Sequence, residues 1–166
     1  MIRLALVTLF VLLVPFLAMQ ITDEVNWDAA DFVIAGVMVF GAGLTYELIA
    51  RKGSSAAYRV AVGIAVATAL ILVWMNLAVG LIGSEGNPAN LMYAGVLAVG
   101  IIGAVVARFH PNGMARALFA TALAQIVVGA IALSAGPGPL ILNGLFAGLW
   151  VGSALLFRRA AHAQVA

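Results

Sequence analysis

Apolar residues gather into six long runs along the chain, at about 2–21, 31–50, 60–82, 91–107, 115–134 and 140–157, with short polar stretches between them. A run of about 20 apolar residues makes a helix long enough to cross the hydrocarbon core of a bilayer. In that medium each backbone N–H and C=O must be satisfied within the protein, which favours helices. The pattern predicts an all-α integral membrane bundle of six transmembrane helices. The runs use most of the 166 residues, so a single transmembrane domain over 1–166 with short connections is expected.

Polar residues punctuate the runs in the way helix ends require. Asp28 followed by Asp31 reads as a variant capping box, in which each side chain accepts from the other's backbone N–H. Ser54 and Ser55 can cap the third helix. Asn87, Pro88 and Asn90 read as an N-cap, a first helical position and a third position for the fourth helix. Pro111, Asn112 and Gly113 do the same before the fifth. Ala135-Gly136-Pro137-Gly138-Pro139 cannot remain helical, which keeps the fifth and sixth runs apart. Pro15 predicts a bend in the first helix. That first run, with Arg3 before it and small residues near Ala18, has features of a signal peptide. It exceeds the usual apolar core of about 7–15 residues, so a retained first helix is expected.

Charge orients the bundle. Arg3 precedes the first run; Arg51, Lys52 and Arg59 lie between the second and third. Arg108 and Arg116 bracket the gap between the fourth and fifth, and Arg158 and Arg159 follow the sixth. The alternate gaps hold no Lys or Arg, and Asp23, Glu24, Asp28, Asp31 and Glu85 gather there. This positive-inside pattern predicts both termini in the cytoplasm of a bacterium, with the chain multi-pass in the inner membrane.

Composition narrows the function classes. Hydrophobic residues make up 65% of the chain and charged residues 8%, with a mean hydropathy of +1.17. A soluble domain carries about 25% charged residues, so water solubility is excluded. The net charge of +2 is spread over helix ends, where it suits anionic lipid headgroups rather than nucleic acid. With no cysteine, disulfides and thiolate metal sites are excluded. His110 and His162 both lie outside the runs, which excludes paired histidine ligation of a haem within the membrane. Arg108-Phe109-His110 beside Pro111 suggests phosphate chemistry at the cytoplasmic face, but a lone histidine in a short loop reads rather as solvated. No metalloprotease, Walker or Gly-rich nucleotide motif is present, so no cofactor, no metal and no enzymatic activity are expected.

A few polar groups remain within the runs. Glu47 lies near the inner end of the second run beside Thr45 and Tyr46, with Arg51 four residues on, in the order that favours an ion pair. An intramembrane carboxylate is also a candidate proton or cation site. Asn76, with Asn90 and Tyr93 at similar depth, reads either as interhelical glue or as a polar lining of an outer-leaflet cavity. Gln125 and Asn143 carry the same two readings. The acids Asp23, Glu24, Asp28, Asp31 and Glu85 read as caps and solvated loop, or as a cation-attracting mouth. Gly144, Gly148 and Gly152 form a stripe that allows close helix approach, within the chain or between copies; Ala61, Ala65 and Ala69 form a similar face. An offset of about 57 residues pairs Ala50 and Arg51 with Ala107 and Arg108, Arg59 with Arg116, and Asp28 with Glu85. It suggests duplicated hairpins, though capping and charge rules favour the same residues.

The segments Thr22-Asp23-Glu24-Val25-Asn26-Trp27, Asn76 to Glu85, and Asn87-Pro88-Ala89-Asn90-Leu91-Met92-Tyr93 resemble small bacterial multipass proteins described as hypothetical membrane proteins. The resemblance covers most of the chain and implies no catalytic residues. It marks the loop 83–90 and Asn76 as features of the group. Two functions are expected from the whole reading. One is permeation of a small solute or ion, along Asn76, Asn90 and Tyr93 outside and Glu47 inside. The alternative is a non-catalytic structural or accessory subunit that binds lipid or a partner membrane protein. Membrane lipids, and a homo-oligomer or partner membrane protein, are the expected associates.

The absence of cysteine makes the topology directly testable. In intact cells a membrane-impermeant maleimide is expected to label the Ser84→Cys variant, and to label Ser54→Cys only after lysis. The reverse pattern would invert the predicted orientation.

Overall fold

The computed structural model describes residues 1–84, 86–133 and 139–163. Among these residues there are six α-helices and no strand: α1 (Ile2–Ile21), α2 (Ala29–Ala50), α3 (Ala56–Ala78), α4 (Met92–Val106), α5 (Pro111–Ala132) and α6 (Pro139–His162). A 3₁₀ turn, Pro88–Leu91, precedes α4. All six helices, the fourth taken with its 3₁₀ turn, are long and apolar enough to cross a membrane. The chain forms two compact units, Met1–Leu48 and Ile49–Ala166.

In Met1–Leu48, Leu12 lies beside Gly36, and Leu4 sits so close to Gly43 that a Cβ there would come within 2.7 Å of it. Thr8 and Ala35 are the buried residues. The capping box forms: Asp28 N–H donates to Asp31 Oδ2 at 2.9 Å and Asp31 N–H to Asp28 Oδ1 at 3.0 Å. Trp27 packs edge-on against Phe32 beside it. Pro15 lies inside α1, which continues through it.

In Ile49–Ala166, α5 packs against α4 and α6, and α6 also packs against α3. Small residues bring these helices together. Ser153 Oγ of α6 donates to the backbone oxygen of Ala61 in α3 at 2.7 Å, with Ala61 and Ala154 fully buried. Gly103 of α4 faces Ala117 of α5, where a Cβ would fall 2.7 Å from the alanine methyl.

Several helix ends differ from the hydropathy pattern, each for a local reason. The third helix was expected over 60–82 but runs Ala56–Ala78, because Ser55 Oγ accepts from Tyr58 N–H and starts it a turn early. It stops where Val79 and Gly80 both donate to Met75 O, with Gly80 at φ +70°. Leu81 and Ile82 are buried, but as loop residues. The fourth begins as the 3₁₀ turn, with Asn87 Oδ1 accepting from Ala89 N–H and Pro88 at its first position. Pro111 itself opens α5, ahead of the expected 115. The sixth continues past 157 to His162, because Ala160 and Ala161 remain buried while Arg158 and Arg159 point outward. The segment 134–138, which holds most of the Gly/Pro separator, lies outside the described residues.

One end of this unit is organised around Tyr58. Its hydroxyl donates to Phe109 O at 2.8 Å, and its ring meets Phe157 edge-on with centroids 5.0 Å apart. Gly53 lies against the same ring. Phe109 and Arg108 sit in the left-handed region, at φ +60° and +49°. That conformation costs an L-residue about 1–2 kcal/mol. It is held by Phe109 N–H on Ala104 O and His110 N–H on Ala107 O, while Lys52 Nζ rests 5.0 Å above the Phe109 ring. Thus the Arg108-Phe109-His110 loop is a pinned turn with a partly buried Phe109, and His110 in it is exposed. Replacing Tyr58 with Phe keeps the ring contacts and removes the hydrogen bond. The expected loss is about 1 kcal/mol, read as lowered thermal stability in detergent.

Candidate functional site

At the opposite end of Ile49–Ala166, α3, α4 and the connection between them line an open cavity of about 430 Å³. Val73, Asn76 and Leu77 line it from α3. Tyr93, Ala94 and Leu97 line it from α4, and Asn87, Asn90 and Leu91 from the connection. The lining is predominantly apolar. Leu77 and Leu91 are 60% and 75% exposed, so the cavity's apolar wall continues onto the protein surface.

Asn90 builds the connection. Its Oδ1 accepts from Leu81 N–H at 3.0 Å and Ile82 N–H at 2.9 Å. Its Nδ2 donates to Ser84 O at 2.7 Å and Ile82 O at 3.4 Å. A primary amide has two acceptor sites and two donors, so this side chain is fully used. Asn90 therefore lines the cavity as a clamp on the backbone, with its polar capacity already spent. It also holds the third helical position expected for it, with its backbone N–H donating to Asn87 O at 3.0 Å.

Tyr93 forms one wall of the cavity and the first member of a buried polar chain behind it. Trp150 Nε1 donates to Gln125 Oε1 at 3.4 Å, Gln125 Nε2 to Asn143 Oδ1 at 2.8 Å, and Asn143 Nδ2 to the Tyr93 hydroxyl at 3.0 Å. Tyr93 also reaches Asn143 Oδ1 at 3.2 Å. All four side chains are at most 4% exposed. An indole can only donate, so Trp150 fixes which way Gln125 faces, and Gln125 fixes Asn143. Gly129 makes room for this: a Cβ there would lie 2.9 Å from Asn143 Cβ. Farther along the bundle, Thr68, Thr121 and Ser153 each donate to a helix carbonyl.

Asn76 stands apart from that chain. Its Nδ2 donates to Leu72 O one turn back at 2.9 Å. Its Oδ1 is the one buried side-chain oxygen or nitrogen among the described residues that has no hydrogen-bond partner.

The structure thus brings Asn76, Asn90 and Tyr93 to one cavity and leaves the other candidates elsewhere. Thr45, Tyr46 and Glu47 are on α2 in the Met1–Leu48 unit, and the Thr45 hydroxyl donates to Gly41 O. Arg51 follows α2, exposed. Asp23 and Glu24 are exposed, Asp28 and Asp31 cap α2, and Glu85 lies outside the described residues. No three acidic or histidine side chains among the described residues are grouped so as to hold a metal ion. Within Ile49–Ala166, a Cβ at Gly144, Gly148 or Gly152 would meet nothing within 4 Å, so these glycines do not pack α6 against α3 or α5. Close packing falls to Gly103 and Gly129, which no regular spacing marks. Trp150 was also missed: a tryptophan in an apolar run reads as membrane-facing until its N–H is seen to have a buried acceptor.

No family model, curated protein or solved structure matches this chain.

The polar chain is expected to act as a unit. Gln125→Leu strands Trp150 Nε1 and leaves Asn143 Oδ1 with Tyr93 as its remaining chain partner, and is expected to cost about 1–2 kcal/mol in detergent unfolding. Combined with Trp150→Phe, the loss should fall short of the sum of the single losses.

Proposed function

We propose that this chain is a non-enzymatic multipass protein of a bacterial inner membrane, with its arginine-rich end cytoplasmic, that holds a small apolar or amphipathic molecule in the α3–α4 cavity. The observation that carries this reading is the closed base of the cavity. Tyr93, Asn143, Gln125 and Trp150 fill the space behind it and bond to one another rather than to water. A conduit needs polar groups that solvate the passing solute in succession. Here the polar groups behind the cavity are mutually paired, and the hydroxyls beyond them are bonded to helix carbonyls. The size and apolar lining suit a small-molecule site, which typically spans about 300–1,000 Å³ with a few placed polar groups. Of the two expected functions, the binding role therefore has the better support, with a lipid or lipid-like molecule as its occupant. The glycine face of α6, which no other helix of Ile49–Ala166 covers, leaves room for another helix to approach, which supports a homo-oligomer or partner membrane protein as neighbour.

Native mass spectrometry from a mild detergent tests this reading. Wild-type protein is expected to retain one small molecule per chain, and Ala94→Trp, which fills the cavity, to carry none. A bare wild-type chain that passes solute in proteoliposomes, with flux blocked by Ala94→Trp, would overturn binding in favour of permeation.

A further inference from the structure

We infer that the cavity selects an uncharged amphiphile that carries an O–H or N–H donor, and that Asn76 Oδ1 receives that donor. The inference rests on the cavity being a binding site, as proposed above, and concerns what it reads.

Among the described residues the cavity wall holds one buried acceptor without a donor, Asn76 Oδ1, while the partly exposed Asn87 keeps a free amide N–H. Asn90 uses both lone-pair sites and both N–H groups on the connection's backbone. Asn87 Oδ1 takes Ala89 N–H. The Tyr93 hydroxyl is bonded to Asn143 behind the wall. Asn76 has placed its N–H on Leu72 O, which leaves a carbonyl oxygen without a donor. A buried acceptor left unsatisfied is costly, and more so in apolar surroundings where water does not compensate. The terminal amide torsion of Asn is soft, so a small rotation presents Oδ1 to the cavity surface. The matching group on an occupant is a donor; an ether, ester or ketone oxygen has nothing to offer there.

The rest of the occupant follows from the other walls. Val73, Leu77, Leu91, Ala94 and Leu97 present only hydrocarbon. No charged side chain lines the cavity among the described residues, so an ammonium or carboxylate head would lie unpaired. An alcohol on an alkyl body is the simplest molecule that satisfies both demands.

Two isomers separate the donor from everything else: 1-decanol, and methyl nonyl ether, which has the same atoms and no O–H. Equilibrium dialysis of each against maltoside micelles, with and without protein, reports binding beyond partitioning. Wild-type protein is expected to bind one alcohol per chain about tenfold more tightly than the ether. Asn76→Leu, close in shape, is expected to bind both equally and to retain the ether's affinity. Equal affinity of the two isomers for wild type would overturn the inference while leaving the binding reading intact, and so would a preference that survives in Asn76→Leu. Failure of wild type to bind either isomer saturably would overturn the binding reading and this inference with it. The comparison of isomers on wild-type protein needs no variant to fold.

Discussion

The arrangement of α4, α5 and α6 depends on one donor that has no acceptor capacity. Trp150 N–H sets the orientation of Gln125, whose N–H sets that of Asn143, whose N–H meets Tyr93. In an apolar interior, helix faces of similar hydrocarbon character can slide past one another with little change in packing energy. Paired amides prevent that slide, because any shift of register strands a polar group where nothing else can satisfy it. The same chain determines the cavity, since Tyr93 can form its wall only while Asn143 holds the hydroxyl from behind. Structural specificity and the floor of the site are thus the same set of side chains.

Much of the fold was legible because a bilayer-length apolar run has few alternatives. All six helices lie where hydropathy places them, and the Asp28–Asp31 and Asn87–Pro88 signals act as helix starts. What hydropathy does not encode is where an apolar residue leaves a helix. Leu81 and Ile82 look like the last turn of α3, yet Asn90, eight or nine residues away, supplies the acceptor that makes the extended path possible. Likewise the arginines that end the sixth run do not end its helix, since Ala160 and Ala161 continue the buried face.

The candidate site was legible in part and for a mixed reason. Asn76, Asn90 and Tyr93 share a depth, and depth follows from counting along helices. Their different roles do not follow from depth. Asn90 is a backbone clamp, Tyr93 a packed wall, and only Asn76 keeps an unsatisfied atom. Regular spacing misled in α6: Gly144, Gly148 and Gly152 form a tidy stripe, while contacts that need a glycine are made by isolated ones, among them those at 103 and 129. A missing side chain matters only where something else approaches, and that information resides in the partner helix.

The bond from Ser153 to Ala61 spans nearly the whole of the second unit in sequence. A chain made from its N-terminus has α3 in place long before α6 exists. Until then the face of α3 that carries Ala61 has no α6 to cover it. Closure of the unit is therefore an event of the last helix. A chain that lacks α6 carries, as the mark of its incompleteness, a small-residue face rather than a charge.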